Sequence, residues 1–158
     1  NQIYAPNHNE MQRAIIKSAA NHDIFISVAA ISDYLPTRTN GKIKKDKILK
    51  LELTKSADIL ADTASRFNHL FCVGFSAESE SIIKNGQEKL KNKKVDLIVS
   101  NSINESMGED SAEIYLIDSK EVNHITKRDK SELAIEIMNH VHTLTTEKGN
   151  INEPNNWL

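Results

Sequence analysis

Three short, nearly uninterrupted apolar runs set what this chain can fold into: Ile24–Ile31, Leu70–Ala77 and Val95–Ser100. Each has the length of a strand and is far too short to span a bilayer as a helix. Continuous apolarity, unlike alternation, marks strands covered on both faces, as in a parallel sheet. The segments between them supply the covering. Asn7 followed by Glu10 reads as a capping box ahead of Met11, Ala14, Ile15 and Ala19, which share a helical face. Ser56 is placed to cap a helix to about Phe67, with Ile59, Leu60, Thr63, Ala64 and Phe67 on one side. Ser79–Lys93 is also helical, although Gly86 weakens it by up to about 1 kcal/mol relative to Ala. A further strand is expected at Ile114–Asp118. Asp129 and Glu132 form a capping box for a last helix through about Leu144, with Leu133, Ile137, Met138, Val141 and Leu144 inward.

Two segments do not fit this alternation. Residues 32–47 read as a polar loop with Pro36, Gly41 and five lysines or arginines. Leu49, Leu51 and Leu53 alternate with Lys50 and Glu52, so 48–54 reads as a strand with one wet face. Residues 145–158 read as a mobile polar tail behind a domain over 1–144. Strand–helix–strand order implies right-handed crossovers and a doubly wound, mostly parallel α/β sheet. Ligands bind such sheets beyond the carboxyl ends of the strands. That rule singles out Asp33, Phe75, Glu78 and Asn101.

Composition narrows the function. The 158 residues carry 20 Lys+Arg against 22 Asp+Glu, a net charge of −2. This argues against a general nucleic-acid binder or a polybasic membrane binder. The lone Cys72 precludes an intrachain disulfide framework and a multi-cysteine zinc site, and fits a reducing, cytoplasmic setting. It lies inside an apolar run and is expected to be inert. Glycine is only 5 of 158, against a usual share of about 7%, which is low for a complete nucleotide-binding domain.

The candidate site residues fall in five constellations, each with an ordinary structural alternative. Ala29-Ala30-Ile31-Ser32-Asp33-Tyr34-Leu35-Pro36 ends an apolar run with small residues and a carboxylate. Lys42-Ile43-Lys44-Lys45 follows, with cations able to reach phosphates; a solvated loop explains the same letters. Lys55-Ser56-Ala57-Asp58-Ile59-Leu60 opens a helix, where backbone N–H groups can meet an anion or simply be capped by Ser. In Val73-Gly74-Phe75-Ser76-Ala77-Glu78, Phe75 can stack on a base or pack in the core. Lys89 and Lys93 repel at i, i+4 but complement the helix C-terminus, so a phosphate is allowed and not required. Asp96-Leu97-Ile98-Val99-Ser100-Asn101 ends in a side chain that can orient a ligand or make a turn. The histidines form no metal cluster; His140 and His142 face different directions on one helix.

Taken in order, Ala29–Pro36, Lys42–Lys45, Leu51-Glu52-Leu53-Thr54-Lys55, Asp58-Ile59-Leu60, Val73–Glu78 and Asp96–Asn101 are six motifs that closely resemble phosphopantothenate–cysteine ligase, the synthetase domain of the bifunctional bacterial coenzyme A biosynthesis protein. The resemblance covers about residues 1–144. It implies a Rossmann-like fold with an amphipathic strand arm near 48–54 at a homodimer interface. It implies joining of 4′-phosphopantothenate to L-cysteine, with CTP and Mg2+, through an acyl-cytidylate. By the same resemblance, Ser27, Val28 and Ala29 line the cytosine pocket and Asp33 binds the nucleotide. Phe75 packs against it, and Ala57, Asp58, Ile59 and Leu60 offer backbone. Lys89 and Lys93 contact phosphates, and Lys42 is the catalytic lysine of a loop, needed to turn the acyl-cytidylate into product. Asn101 is a candidate substrate or loop residue. Nothing carries over from the loop at Met107–Ala112, where the pattern is loose. Ser56 and Ala57 depart from the Asn-Pro usual before the Asp-Ile pair. The family's glycine-rich first strand and turn, and its flavin-dependent decarboxylase domain, are not in the sequence, so no FMN is expected here; the low glycine count fits the first of these. The rival expectation is a non-catalytic nucleotide-binding or dimerisation fragment of such an enzyme. A relative that uses ATP is a third, disfavoured by the Lys42–Lys45 run.

Overall fold

A computed structural model describes residues 1–37, 41, 50–106 and 108–149. Helix α1 (His8–Ala19) starts at the expected cap: the Asn7 side chain accepts from the Glu10 N–H and donates to its carboxylate. Strand β1 (Ile24–Ser27) follows, then β2 (Tyr34–Pro36), β3 (Leu53–Lys55), α2 (Ile59–Arg66), β4 (Phe71–Glu78) and α3 (Ile82–Lys93). The chain continues through β5 (Leu97–Ser102), a single turn α4 (Ile103–Ser106), β6 (Ser111–Ile117), β7 (Val122–Asp129) and α5 (Lys130–Glu147).

The main sheet has the order β1-β4-β5-β6-β7. Strands β1, β4 and β5 pair in parallel, with Ser27 opposite Gly74 and Gly74 opposite Ile98. Strands β6 and β7 run antiparallel. Two apolar layers cover the sheet. On one face Phe71, Val73, Leu97, Val99, Ile114 and Leu116 meet Leu133, Ile137 and Val141 of α5. On the other, Cys72, Ile98 and Ile117 meet Ala19, Leu60, Ala64 and Leu90 from α1, α2 and α3. The α/β architecture read from the sequence is therefore present, with helices on both faces.

Several local expectations are corrected. The first apolar run forms a strand only to Ser27, and β1 is half-buried because it lies at the edge of the sheet. Residues 34–36, read as loop, form β2, which pairs with β3 in a small antiparallel ribbon. Of the strand expected at 48–54, residues 48 and 49 lie outside the described residues, and regular pairing covers only Leu53–Lys55. Asp58, not Ser56, caps α2; its carboxylate accepts from the Ala61 N–H at 3.1 Å. Strand β7 escaped notice because it is an exposed edge strand in which Val122 and Ile125 stand among polar residues. Its hairpin is made by Asp118, which accepts from the N–H groups of Lys120 and Glu121 at 2.6 and 3.0 Å. Asp129 sits at the α5 cap position without a side-chain cap bond. Met138 points outward, and α5 runs on past Leu144, burying Thr145, whose hydroxyl donates to the Val141 carbonyl at 2.8 Å.

Gly86 is where α3 lies closest to the sheet. A Cβ there would fall 2.7 Å from Ser100 Oγ and nearer still to the Ile117 side chain, both fully buried. The helix thus gives up intrinsic propensity for contact with β5 and β6. Gly86→Ala is expected to lose roughly 1–3 kcal/mol through overpacking, more than the approximately 1 kcal/mol that Ala returns in propensity. A lower urea midpoint by circular dichroism is the predicted reading.

Candidate functional site

Strand β1 ends at Ser27, opposite Gly74 of the longer β4, so the chain leaving β1 turns beside the part of β4 that begins with Phe75. A cavity of about 250 Å³ opens there. Its walls are the post-β1 segment from Ala29 to Asp33, the entry to α2 from Ser56 to Leu60, and Phe75 of β4. Lys89 and Lys93 of α3, with Ser27 and Ile98, complete it. Gly74 lies behind two lining residues: a Cβ there would come within 2.6 Å of Leu60 and 2.9 Å of Ile98. The absent side chain lets these two residues close the base of the cavity.

Ser56 ties the two lips together. Its hydroxyl donates to the Ser32 carbonyl at 2.6 Å, and its N–H donates to the Asp33 carbonyl at 2.8 Å. His8, at the start of α1, bonds the Ala57 carbonyl through Nε2 at 2.8 Å. The serine read as a helix cap thus holds the loop carrying Asp33.

Of the nominated residues, Ser27, Ala29, Asp33, Ala57, Asp58, Ile59, Leu60, Phe75, Lys89 and Lys93 all line this one cavity. Phe75 is 39% exposed, so its ring is not spent on the core. Val28, 64% exposed, is outside this lining and borders an adjoining apolar groove between α1 and β1, which shares Ser27, Ala29 and Ile31 with the cavity. Lys42 lies outside the described residues. Asn101 is not in the lining; its amide donates to Ser106 Oγ and so braces α4. Ala30, Ile31, Ser32, Ser56 and Ile98 also line the cavity; they stand within the motifs, but the sequence assigned them no ligand role. The two serines sit in polar loops with no periodicity to mark them, and Ile98 is indistinguishable in sequence from any core residue.

The cations of the cavity are already paired. Lys93 meets the Asp58 carboxylate, and Lys89 meets Glu78. Burial raises the Asp58 carboxyl, but Lys93 and the Ala61 N–H outweigh it and hold it below the usual carboxylate range. Burial likewise raises Glu78, and Lys89, Ser76 and Asn85 together hold it below that range. Of the N–H groups at the start of α2, read as an anion site or as simply capped, that of Ala61 is capped by the chain's own Asp58 carboxylate.

Residues 3–144 match the family DFP, the DNA/pantothenate metabolism flavoprotein C-terminal domain. The chain belongs to this family. It is 34% identical over 152 residues to the coenzyme A biosynthesis bifunctional protein CoaBC of Vibrio vulnificus (strain CMCP6), covering 91% of this chain and 38% of that protein. The chain thus spans under two fifths of that curated relative. The solved C-terminal domain of a coenzyme A biosynthesis bifunctional protein CoaBC superposes with a TM-score of 0.70 at 24% identity, over 88% of this chain and 63% of that one. A Cab2 variant in complex with phosphopantothenate-cysteine gives 0.67 at 13% identity, over 89% and 52%. These two likenesses bear on the fold. The family resemblance read from the six motifs is borne out.

The chemistry open to this flavoprotein C-terminal domain follows from what its cavity holds. Apolar Ile59, Leu60 and Ile98 with the Phe75 ring suit a flat heterocycle, and two ammonium groups suit phosphate. Neither Ser56 nor Cys72 is prepared as a nucleophile. Ser56 donates to a carbonyl, and Cys72 is buried in β4 with its thiol pushed up to about 12, by burial and then by Asp96. Among the described residues no group of three or more His, Cys, Asp or Glu could hold a metal ion. Also among them, no helix is long and apolar enough to cross a membrane.

Because the folded Glu78 lies below its ordinary value of 4.5, its stabilising effect is complete above that pH. It is lost as pH falls through the lower folded value. Glu78→Gln is therefore expected to flatten the fall of the urea midpoint below pH 4.5, while the wild-type midpoint drops more steeply over the same titration.

Proposed function

We propose that the cavity binds CTP and that the chain serves the ligation of 4′-phosphopantothenate to L-cysteine in coenzyme A biosynthesis. One observation carries this reading: ten residues nominated from scattered motifs converge on a single cavity at the carboxyl end of β1, beside Phe75 of β4. The name of the curated relatives supports the place in coenzyme A biosynthesis.

In the proposed reaction a carboxylate oxygen of 4′-phosphopantothenate attacks the α-phosphorus of CTP, and pyrophosphate leaves. The cysteine amine then attacks the acyl carbon of the acyl-cytidylate, and CMP leaves. Such a reaction needs positioning and charge neutralisation more than a protein nucleophile, which agrees with a Ser56 hydroxyl already donated to a carbonyl. Phe75 packs against the nucleotide, and the backbone of Ser27 and Ala29 borders the base. Asp33 binds at the cavity lip, the lysines of α3 face the phosphates, and Lys42 acts at the second step. Magnesium accompanies the triphosphate and offsets its charge. A homodimer is also proposed, through the β2–β3 ribbon, on which Tyr34 and Leu53 are more than half exposed. A two-stranded ribbon is at best marginal alone in water.

Incubation with CTP, 4′-phosphopantothenate, cysteine and magnesium is expected to release pyrophosphate and CMP. In Lys42→Ala the acyl-cytidylate should accumulate while cysteine-dependent product is lost; unchanged turnover would exclude the role given to Lys42. Phe75→Ala should weaken CTP binding by about 1 kcal/mol or more, at least roughly fivefold, in calorimetry. Binding of CTP with no turnover, alongside a dimer by light scattering, would favour the non-catalytic fragment reading, and turnover with ATP equal to CTP would favour the third.

A further inference from the structure

The two lysines of the cavity are not equivalent, although the sequence presents them as one helical pair. Lys89 is held in a network: it meets Glu78 and donates to Ser76 Oγ at 2.8 Å, while Asn85 donates to the same Glu78 carboxylate at 3.1 Å. The Glu78 side chain is only 11% exposed. Withdrawing Lys89 would strand a largely buried carboxylate without its cation, a costly change. Lys93 has one carboxylate partner among the described residues, Asp58, whose side chain is 44% exposed. When that pair opens, Asp58 meets water and still caps the Ala61 N–H. With Asp58 44% and Lys93 29% exposed, this pair separates at less cost than the one that would strand Glu78. Both residues line the cavity, so Lys93 is the cation that an incoming anion can take over.

We propose that Asp58 is a resident counter-ion of the cavity, holding Lys93 in the free protein and yielding it to a phosphate group of the incoming nucleotide. This rests on the nucleotide reading of the cavity and adds selectivity to it. A multiply charged phosphate competes for an ammonium group better than one carboxylate does. A singly charged anion gains little by the exchange. Asp58 therefore sets a threshold of ligand charge and lowers affinity for every anion that uses Lys93.

The test is calorimetry with CTP and with inorganic triphosphate, magnesium chloride present, on the wild type, Asp58→Asn, Lys93→Met and the double variant. Asn caps a helix as well as Asp, so Asp58→Asn removes the charge and keeps the cap, and an unchanged urea midpoint checks this. Asp58→Asn should bind both ligands about two- to fivefold more tightly, Lys93→Met should bind both more weakly, and the gain should vanish in the double variant. Equal or weaker binding by Asp58→Asn, or a gain that persists without Lys93, overturns the proposal. If triphosphate responds as expected but CTP binds no better than triphosphate, the exchange stands and the nucleotide reading falls. If CTP binds better than triphosphate and Asp58→Asn changes neither, the reading stands and the exchange falls. Absence of binding in all four proteins overturns both.

Discussion

The parallel pairing of β1 with β4 is the contact on which the rest depends. It sets Ser27 opposite Gly74 and releases both chains at the same end of the sheet. The chain leaving β1 turns over the top as Ala29–Asp33, the chain entering β4 comes from α2, and Phe75 lies one residue beyond the Ser27–Gly74 pair. A shift of one residue in this register would send Phe75 to the opposite face of the sheet. The site is thus a property of pairing order more than of any one side chain.

The electrostatics of the cavity follow a second constraint. Asp58 and Glu78 pair with Lys93 and Lys89, and Asp33 adds a further carboxylate to the cavity wall, so the chain brings slightly more negative than positive charge to it. Each of the two lysines thus has a partner within the chain. The same balance leaves little field to attract a free anion from a distance. Binding must then draw on contacts made after entry: apolar area, the Phe75 ring and local exchange of ion-pair partners.

The sequence revealed the core of the sheet well and its margins poorly, for physical reasons. Leu70–Ala77 and Val95–Ser100 are buried on both sides, and burial writes a continuous apolar run that needs no context to read. Strand β7 carries no such run, since it is an edge exposed to water and stabilised by its hairpin with β6. The β2–β3 ribbon is similarly hidden, because nothing in Tyr34-Leu35-Pro36 distinguishes a paired strand from an extended loop. Site residues were legible where a motif fixes their order along the chain, as for Asp33, Phe75 and Lys93. They were not legible where a role comes from a distant partner. Ser56 looks like a cap and acts as a clasp, and Asn101 looks available and is tied to Ser106. Gly86, a defect by propensity alone, is explained by Ile117, thirty-one positions away.

Gly74 fixes something else besides the close fit of Leu60 and Ile98. The floor of the cavity is set by the spacing of backbone and two neighbouring side chains, with no side chain of its own to trim. Depth cannot be gained there by substitution, and any larger residue at 74 would push the floor upward into the ligand space. Variation in what this cavity accepts must therefore come from its rim. Remodelling for a bulkier heterocycle would have to act at Ala29, Ala30 or Phe75, while the base of the cavity stays as the sheet dictates.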